Sequence, residues 1–375
     1  MPRLIPFAAI RPPRSLAGLV STRTYKSYSK TELKQKLNTN KFSFLHVIKV
    51  KNEEKQKLKK IKDNFHEFLQ KKIFIKDEIQ SLYIYQQEIG NQKFFGVIGL
   101  VSVEDYEKSR IIKHENTIEK RETLFSKYLD TVHFQAEPIL LARNQNKIWD
   151  EIMTKTMEQR PESEFATSDG VFHKIWILSK SDSKTIRVES ESMKKFYVAD
   201  GHHRLSSSVK SKSCNHILSL VVDSKQLNIS PFYRFIKGKT LNNRDWTSMV
   251  EVKFLAQAPK GLPKIGIYAL DKRGWWHINN EKIRFPESKW INENLFSPIW
   301  GIKNERNEER IRYLEGTQNM KKIESLRNND EVMFVSSRPS WEEVKDASDQ
   351  GVMLPPKSTY IEPKLRSGMI IFSWS

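Results

Sequence analysis

The sequence predicts an α+β protein of about two domains. Short apolar, β-branched runs are interspersed with segments of helical periodicity along all 375 residues. Twenty Phe, nine Trp and eleven Tyr are ample material for packed cores and exclude wholesale disorder. A single cysteine, Cys214, excludes a disulfide framework. The longest apolar run, residues 94–101, falls far short of the roughly 20 residues that cross a bilayer.

The elements follow in order. Residues 1–31 carry six basic side chains and no acid, as a transit peptide would. Pro2, Pro6, Pro12 and Pro13 break any amphipathic helix there. The stretch is therefore read as the first ordered part of the fold, in a cytoplasmic protein. Ser29 with Glu32 opens a helix. Residues 42–50 are apolar and β-branched and predict a buried strand, with His46 as a core histidine. In residues 53–72, Leu58, Ile61, Phe65, Phe68 and Leu69 recur at helical spacing, and the other face is rich in lysine.

Residues 82–86 and 94–103 predict a hairpin turning at Gly90 and Asn91. A charged stretch fills 104–127. Strands are predicted at 137–142, 173–179, 196–199 and 217–223. Helices are predicted at 148–159, stopped by Pro161, and at 205–212. The pattern weakens over 237–244, where Gly238, Asn242 and Asn243 mark a loop, so domains are expected at 1–240 and 241–375. The second part holds strands at 265–270, 275–278 and 331–336 and helices at 289–296 and 340–348. It ends in a Pro-rich loop and a strand at 369–374.

Lys and Arg number 64 against 45 Asp and Glu, a net charge of +19. Such a field draws anions: nucleotides, phosphorylated metabolites, nucleic acid or acidic lipid. The plainer account is a solvated, lysine-rich surface, since lysines are spread over most of the chain.

Residues 196–208 carry the strongest chemical signal. A strand delivers Asp200 at its carboxyl end, and Gly201 permits a tight turn with close backbone approach. His202, His203 and Arg204 then sit at a helix amino terminus, whose amides and dipole suit an anion. Arg204 adds a fork of donors for phosphate oxygens. Asp200 is placed to hold Mg2+ or to take a proton from a hydroxyl nucleophile. The structural alternative is a turn in which the arginine simply pairs with Asp200.

The segment resembles the signature of domain of unknown function 1015. Residues 5–13, 43–49 and His114-Glu115-Asn116-Thr117 are similar to that family, and so is the ending at 354–368. Lys26 stands where the family has an acid, and Phe232-Tyr233-Arg234 where relatives show Tyr-His-Arg. More distantly, the Asp-Gly-His-His-Arg element resembles the phosphate motif of the ParB and sulfiredoxin superfamily, which includes free serine kinases. The resemblance implies a mixed-sheet ParB/sulfiredoxin-like core, an added C-terminal α/β portion packed against it, and phosphoryl transfer. Asp200 would be base or metal partner, with His202, His203 and Arg204 on phosphate.

Two further segments are candidates. His114 and Glu115 offer a base, a metal ligand or a phosphate contact; on a helix, Glu115 and Glu119 would share a face. Pro355 and Pro356 stiffen a loop presenting Lys357, Ser358, Thr359, Lys364 and Arg366, which suits a phosphate clamp returning to Asp200. Cys214 has no activating neighbour in sequence. No metal-ligand spacing and no Gly-rich nucleotide loop occurs, so zinc, haem and flavin are not expected. Mg2+ with ATP or ADP is. The function expected is phosphoryl transfer on a small hydroxylated or phosphorylated metabolite, with serine or phosphoserine as the named candidates. The alternative is a ParB-like regulator that binds nucleotide or DNA without turnover.

Overall fold

The computed structural model describes residues 1–50, 54–238, 252–280, 283–303, 305, 308–316, 320–355 and 357–374. The chain divides into two compact units. The first holds Met1–Lys113, Thr117–Gln226 and Pro363–Ser375; the second holds His114–Asn116 and Leu227–Glu362. The loop expected around residue 240 lies largely outside the described residues, as does Pro356.

The first unit is built on an eight-stranded mixed sheet. In spatial order its strands are Ile111–Ile112, Phe196–Asp200, Ile139–Arg143, His216–Asp223, Gln92–Ser102, Tyr83–Ile89, Phe172–Ile177 and Ser163–Ala166. The pairs of His216–Asp223 with Ile139–Arg143 and of Phe196–Asp200 with Ile111–Ile112 are parallel, and the rest antiparallel. The predicted hairpin is present, with Gly90 at a φ of 56° in its turn. The central strands read as continuous apolar runs because both faces are covered. One face packs Leu141, Val198 and Val221 against Trp149 of Lys147–Met157 and Leu205 of His202–Lys210. A second cluster gathers Phe44, Phe65, Phe74 and Phe134, and the rings of Phe65 and Phe134 stack 4.3 Å apart.

The amino-terminal stretch is ordered into this unit. Leu4 and Phe7 are buried, and Ile10 and Arg11 pair with Lys76 and Ile75. Ser29 caps Lys30–Thr39 in a reciprocal box with Glu32, and Glu54–Gln70 is helical. The strand expected at 42–50 is instead a helical turn, Leu45–Ile48. Phe44, Leu45 and Val47 are buried there, while His46 is half-exposed and its Nε2 lies 3.1 Å from the Asn40 carbonyl. A run this short is apolar whether it buries one face of a turn or both faces of a strand, so its period does not separate the two.

His173, on the sheet, is wholly buried. Burial, and then the charge of Arg366, lower its pKa from 6.5 to about 3. The unfolded chain therefore takes up a proton near pH 6.5 that the folded chain refuses until about pH 3. Stability is expected to fall with pH inside that window by up to about 1.4 kcal/mol per unit. His173→Gln should flatten this dependence, read by urea unfolding at about pH 4.5 and about pH 7.

The second unit carries a six-stranded antiparallel sheet. Its order is Val252–Leu255, Gly274–Ile278, Ile267–Asp271, Glu331–Val335, Phe232–Lys237 and Ile311–Glu315. Ile236, Ile267, Phe296, Trp300 and Phe334 form its main core. Trp341–Asp349 is a helix opened by a Ser340–Glu343 capping box. Ser340→Ala is expected to cost about 1 kcal/mol in denaturant unfolding, because it removes the acceptor for an orphan helix amide. No described helix is long and apolar enough to cross a membrane.

Candidate functional site

The Asp200 turn forms as its residues dictate. Phe196, Tyr197, Val198 and Ala199 are buried in the sheet, and the strand ends at Asp200. Gly201 takes a φ of 99° and starts the helix His202–Lys210. That helix has no acid in its first turn, and its Ser207 and Ser208 are buried with their hydroxyls on carbonyls one turn back. Its amino-terminal end keeps the dipole and amide character of an anion site.

Asp200 is bracketed by two cations. Lys364 Nζ donates to its Oδ1 at 2.8 Å, and Arg204 Nη2 to its Oδ2 at 2.9 Å. Burial opposes the charged form, but the ammonium of Lys364 and the guanidinium of Arg204 outweigh it and hold the carboxyl far below its usual range. A carboxylate so stabilised is a poor proton acceptor and a good fixed charge.

Arg204 has more partners. Its Nη1 lies 2.8 Å from Glu137 Oε1, and donates to the carbonyls of Glu137 at 3.2 Å and Pro138 at 2.6 Å. Glu137 also accepts from Ser367 Oγ at 2.9 Å. The arginine thus ties two carboxylates and the start of a neighbouring strand together, which is the pairing the structural alternative foresaw. Its fork is turned to the protein. Lys364, with 43 % of its side chain exposed, is the more accessible cation at this turn. His202 is buried and His203 half-buried on the same helix.

Arg366, expected on phosphate, is buried and donates to Asp169 at 2.5 Å, because an arginine with little solvent takes the carboxylate at hand. His114, Glu115, Lys357, Ser358 and Thr359 belong to the second unit. His114 is wholly buried; its carbonyl accepts from Leu354 N at 2.7 Å, and its Nε2 lies 3.3 Å from Thr359 Oγ1. Glu115 bridges Leu354 in extended form, and the helix begins only at Glu119, so the two glutamates share no helical face. Ser358 is buried, with its hydroxyl 2.7 Å from both Ser288 Oγ and the Pro355 carbonyl. Lys357 is exposed at a φ of 62°, its carbonyl held by Arg234 Nη2 at 3.2 Å and its ammonium 4.9 Å from the Phe232 ring centroid.

The sequence pattern places Glu137 only at the start of a strand. Its one sequence signal is an acid followed by Pro138 at a strand entrance, which also fits a plain turn. Among the described residues no group of three or more His, Cys, Asp or Glu is close enough to hold a metal. Burial raises the Cys214 thiol pKa, and its sulfur hydrogen-bonds Gln135 Nε2 at 3.0 Å.

No curated protein matches the sequence. Among solved structures, free serine kinase in complex with AMP is 15% identical, over 72% of this chain and 91% of that one, with a TM-score of 0.42. SbnI with a C-terminal truncation, from Staphylococcus aureus, is 13% identical over 71% of this chain and 82% of that one, at 0.41. A conserved hypothetical protein from Pyrococcus furiosus is 14% identical over 74% and 95%, at 0.42. The family model described as protein of unknown function, DUF1015, matches residues 4–317. The chain belongs to that family.

Proposed function

We propose that the Asp200 turn binds the phosphates of a Mg2+-nucleotide and that the protein moves a phosphoryl group between that nucleotide and a small hydroxylated metabolite of the serine and phosphoserine class. The observation that carries the reading is the bracketing of Asp200 by Lys364 and Arg204 at the mouth of a helix that starts on left-handed Gly201. The backbone just past Gly201 cups phosphate oxygens. Lys364 neutralises them. Arg204 orients Asp200, whose carboxylate would hold the nucleotide's Mg2+, which would supply charge stabilisation to the phosphates. The mixed sheet behind the turn corresponds, in this reading, to a ParB/sulfiredoxin-like core.

In the kinase direction the metabolite hydroxyl attacks the terminal phosphorus. The new O–P bond forms as the bridging P–O bond breaks, the nucleoside diphosphate leaves with that electron pair, and the hydroxyl proton passes to water as the new bond forms. Such a transition state is loose and asks for positioning and charge more than for a strong base. The clamped state of Asp200 fits that demand. The test is 31P NMR of the pure protein with Mg2+, ATP and serine, and in reverse with ADP and phosphoserine. Transfer in either direction supports the reading. No transfer to or from either metabolite by folded protein overturns it, and nucleotide binding without transfer would favour the regulator.

A further inference from the structure

Lys364 reaches Asp200 from a segment held by a closed circuit of hydrogen bonds inside the first unit. Gln87 Nε2 donates to the Lys364 carbonyl at 3.2 Å and to the Tyr85 hydroxyl at 2.7 Å. The Tyr85 hydroxyl lies 2.9 Å from His173 Nδ1, and His173 Nε2 lies 3.2 Å from Thr167 Oγ1. Thr167 Oγ1 donates to Asp169 Oδ1 at 2.6 Å. Arg366 Nη2 closes the circuit on Asp169 Oδ2 at 2.5 Å, two residues beyond Lys364.

One arrangement of protons satisfies every link. Gln87 donates to the tyrosine oxygen, and the tyrosine hydroxyl donates to Nδ1 of a neutral His173. Its Nε2–H donates to Thr167, whose hydroxyl donates to Asp169. Neutral His173 agrees with its lowered pKa, and Asp169, drawn down to about 2 against its burial by Thr167 and Arg366, stays the acceptor at the end. Gln87, Tyr85, His173 and Arg366 are buried, Thr167 is half-buried and Asp169 is the solvent-facing end, and Phe165 stacks on the imidazole at 5.0 Å. A polar chain rooted in a packed interior favours one geometry. A lysine has a long, flexible stem, so its aim depends on how firmly its backbone is held.

We propose that Gln87, Tyr85, His173, Thr167, Asp169 and Arg366 are positioning residues that hold Lys364 against Asp200. The inference deepens the phosphoryl-transfer reading and rests on it for its catalytic consequence, while the contact itself can be tested without turnover. The groups facing the Asp200 carboxylate are Lys364, Arg204 and His202, with Glu137 across Arg204.

The experiment is 1H–15N NMR of the Lys364 ammonium, assigned with Lys364→Gln, in protein free of nucleotide; the exchange of its protons with water reports how firmly it stays on Asp200. Asp169→Ala is expected to speed that exchange about tenfold or more, the loss of one charge-assisted hydrogen bond. Unchanged or slower exchange overturns the proposal. In an Asp200→Asn background the ammonium should already exchange fast and Asp169→Ala should add nothing; an equal further rise there also overturns it, because the effect would then bypass the contact. Thr167→Val, which changes no charge and little volume, should speed the exchange in the same way and serves if Asp169→Ala does not fold. If wild type transfers no phosphate yet the exchange rates move as expected, the functional reading fails and the network stands. If it transfers phosphate and the rates do not move, the network alone fails.

Discussion

Asp200→Asn is expected to cut phosphoryl transfer by about 100-fold or more while leaving the protein folded. The substitution keeps the size and one acceptor of the side chain and deletes its charge. Arg204 keeps Glu137 and the two carbonyls, and Lys364 is exposed enough to be hydrated. The structural cost should therefore stay near about 1 kcal/mol, the worth of a hydrogen bond at a part-exposed site. Loss of rate at unchanged stability is the signature of a charge used in the reaction. Steady-state rates at saturating Mg2+-nucleotide, with circular dichroism melts alongside, measure both. A loss of less than about threefold would take Asp200 out of the chemistry. The pH profile adds a second check. Because Lys364 and Arg204 outweigh burial and keep Asp200 ionised far below the usual carboxylate range, it should set no acid limb near neutrality. A limb near pH 6–7 that vanishes in Asp200→Asn would make Asp200 a proton acceptor after all.

The Asp200 turn was legible because everything that makes it is local. Four apolar residues end in an acid, a glycine follows, and then a run of small side chains that can pack a helix against a sheet. The partners that give the turn its electrostatics were not legible. Lys364 is 164 positions from Asp200, and Glu137 is 67 from Arg204. Chain order carries no mark of which strand entrance or which returning segment will meet a given turn. The same gap explains Arg366. A cation in a rigid, hydroxyl-bearing segment reads as a phosphate ligand until the fold places a carboxylate, Asp169, and a wall of buried side chains beside it. Residues 42–50 failed for a different reason. Their composition is right for burial, but the choice between strand and turn was made by what surrounds them, here the cluster of Phe65, Phe74 and Phe134.

Gly201→Ala should be among the most damaging single substitutions in the first unit, and it tests the turn independently of any ligand. Two costs add. At a φ of 99° an L-residue is strained by about 1–2 kcal/mol. The new Cβ would also lie 2.8 Å from Ile139 Cγ2, 3.1 Å from Ile139 Cβ and 3.2 Å from Arg204 Nε. Ile139 is fixed in the sheet between neighbouring strands, so relief by movement costs about another 1–3 kcal/mol. A total of about 2–5 kcal/mol corresponds to a fall in melting temperature of about 4–20 °C for a unit of this size. A double-mutant cycle separates the terms. Ile139→Ala removes Cγ2, the nearest atom, and leaves residue 139 Cβ, Arg204 Nε and the backbone angle untouched, so in that background Gly201→Ala should cost less by the share of the clash that Cγ2 carries. Because Arg204 is among the crowded neighbours, the single variant should also loosen the arginine's hold on Asp200 and weaken anion binding beyond what stability alone explains. A Gly201→Ala protein as stable as wild type would mean that the strand enters the helix by another path, and the anion cradle would lose its geometric basis.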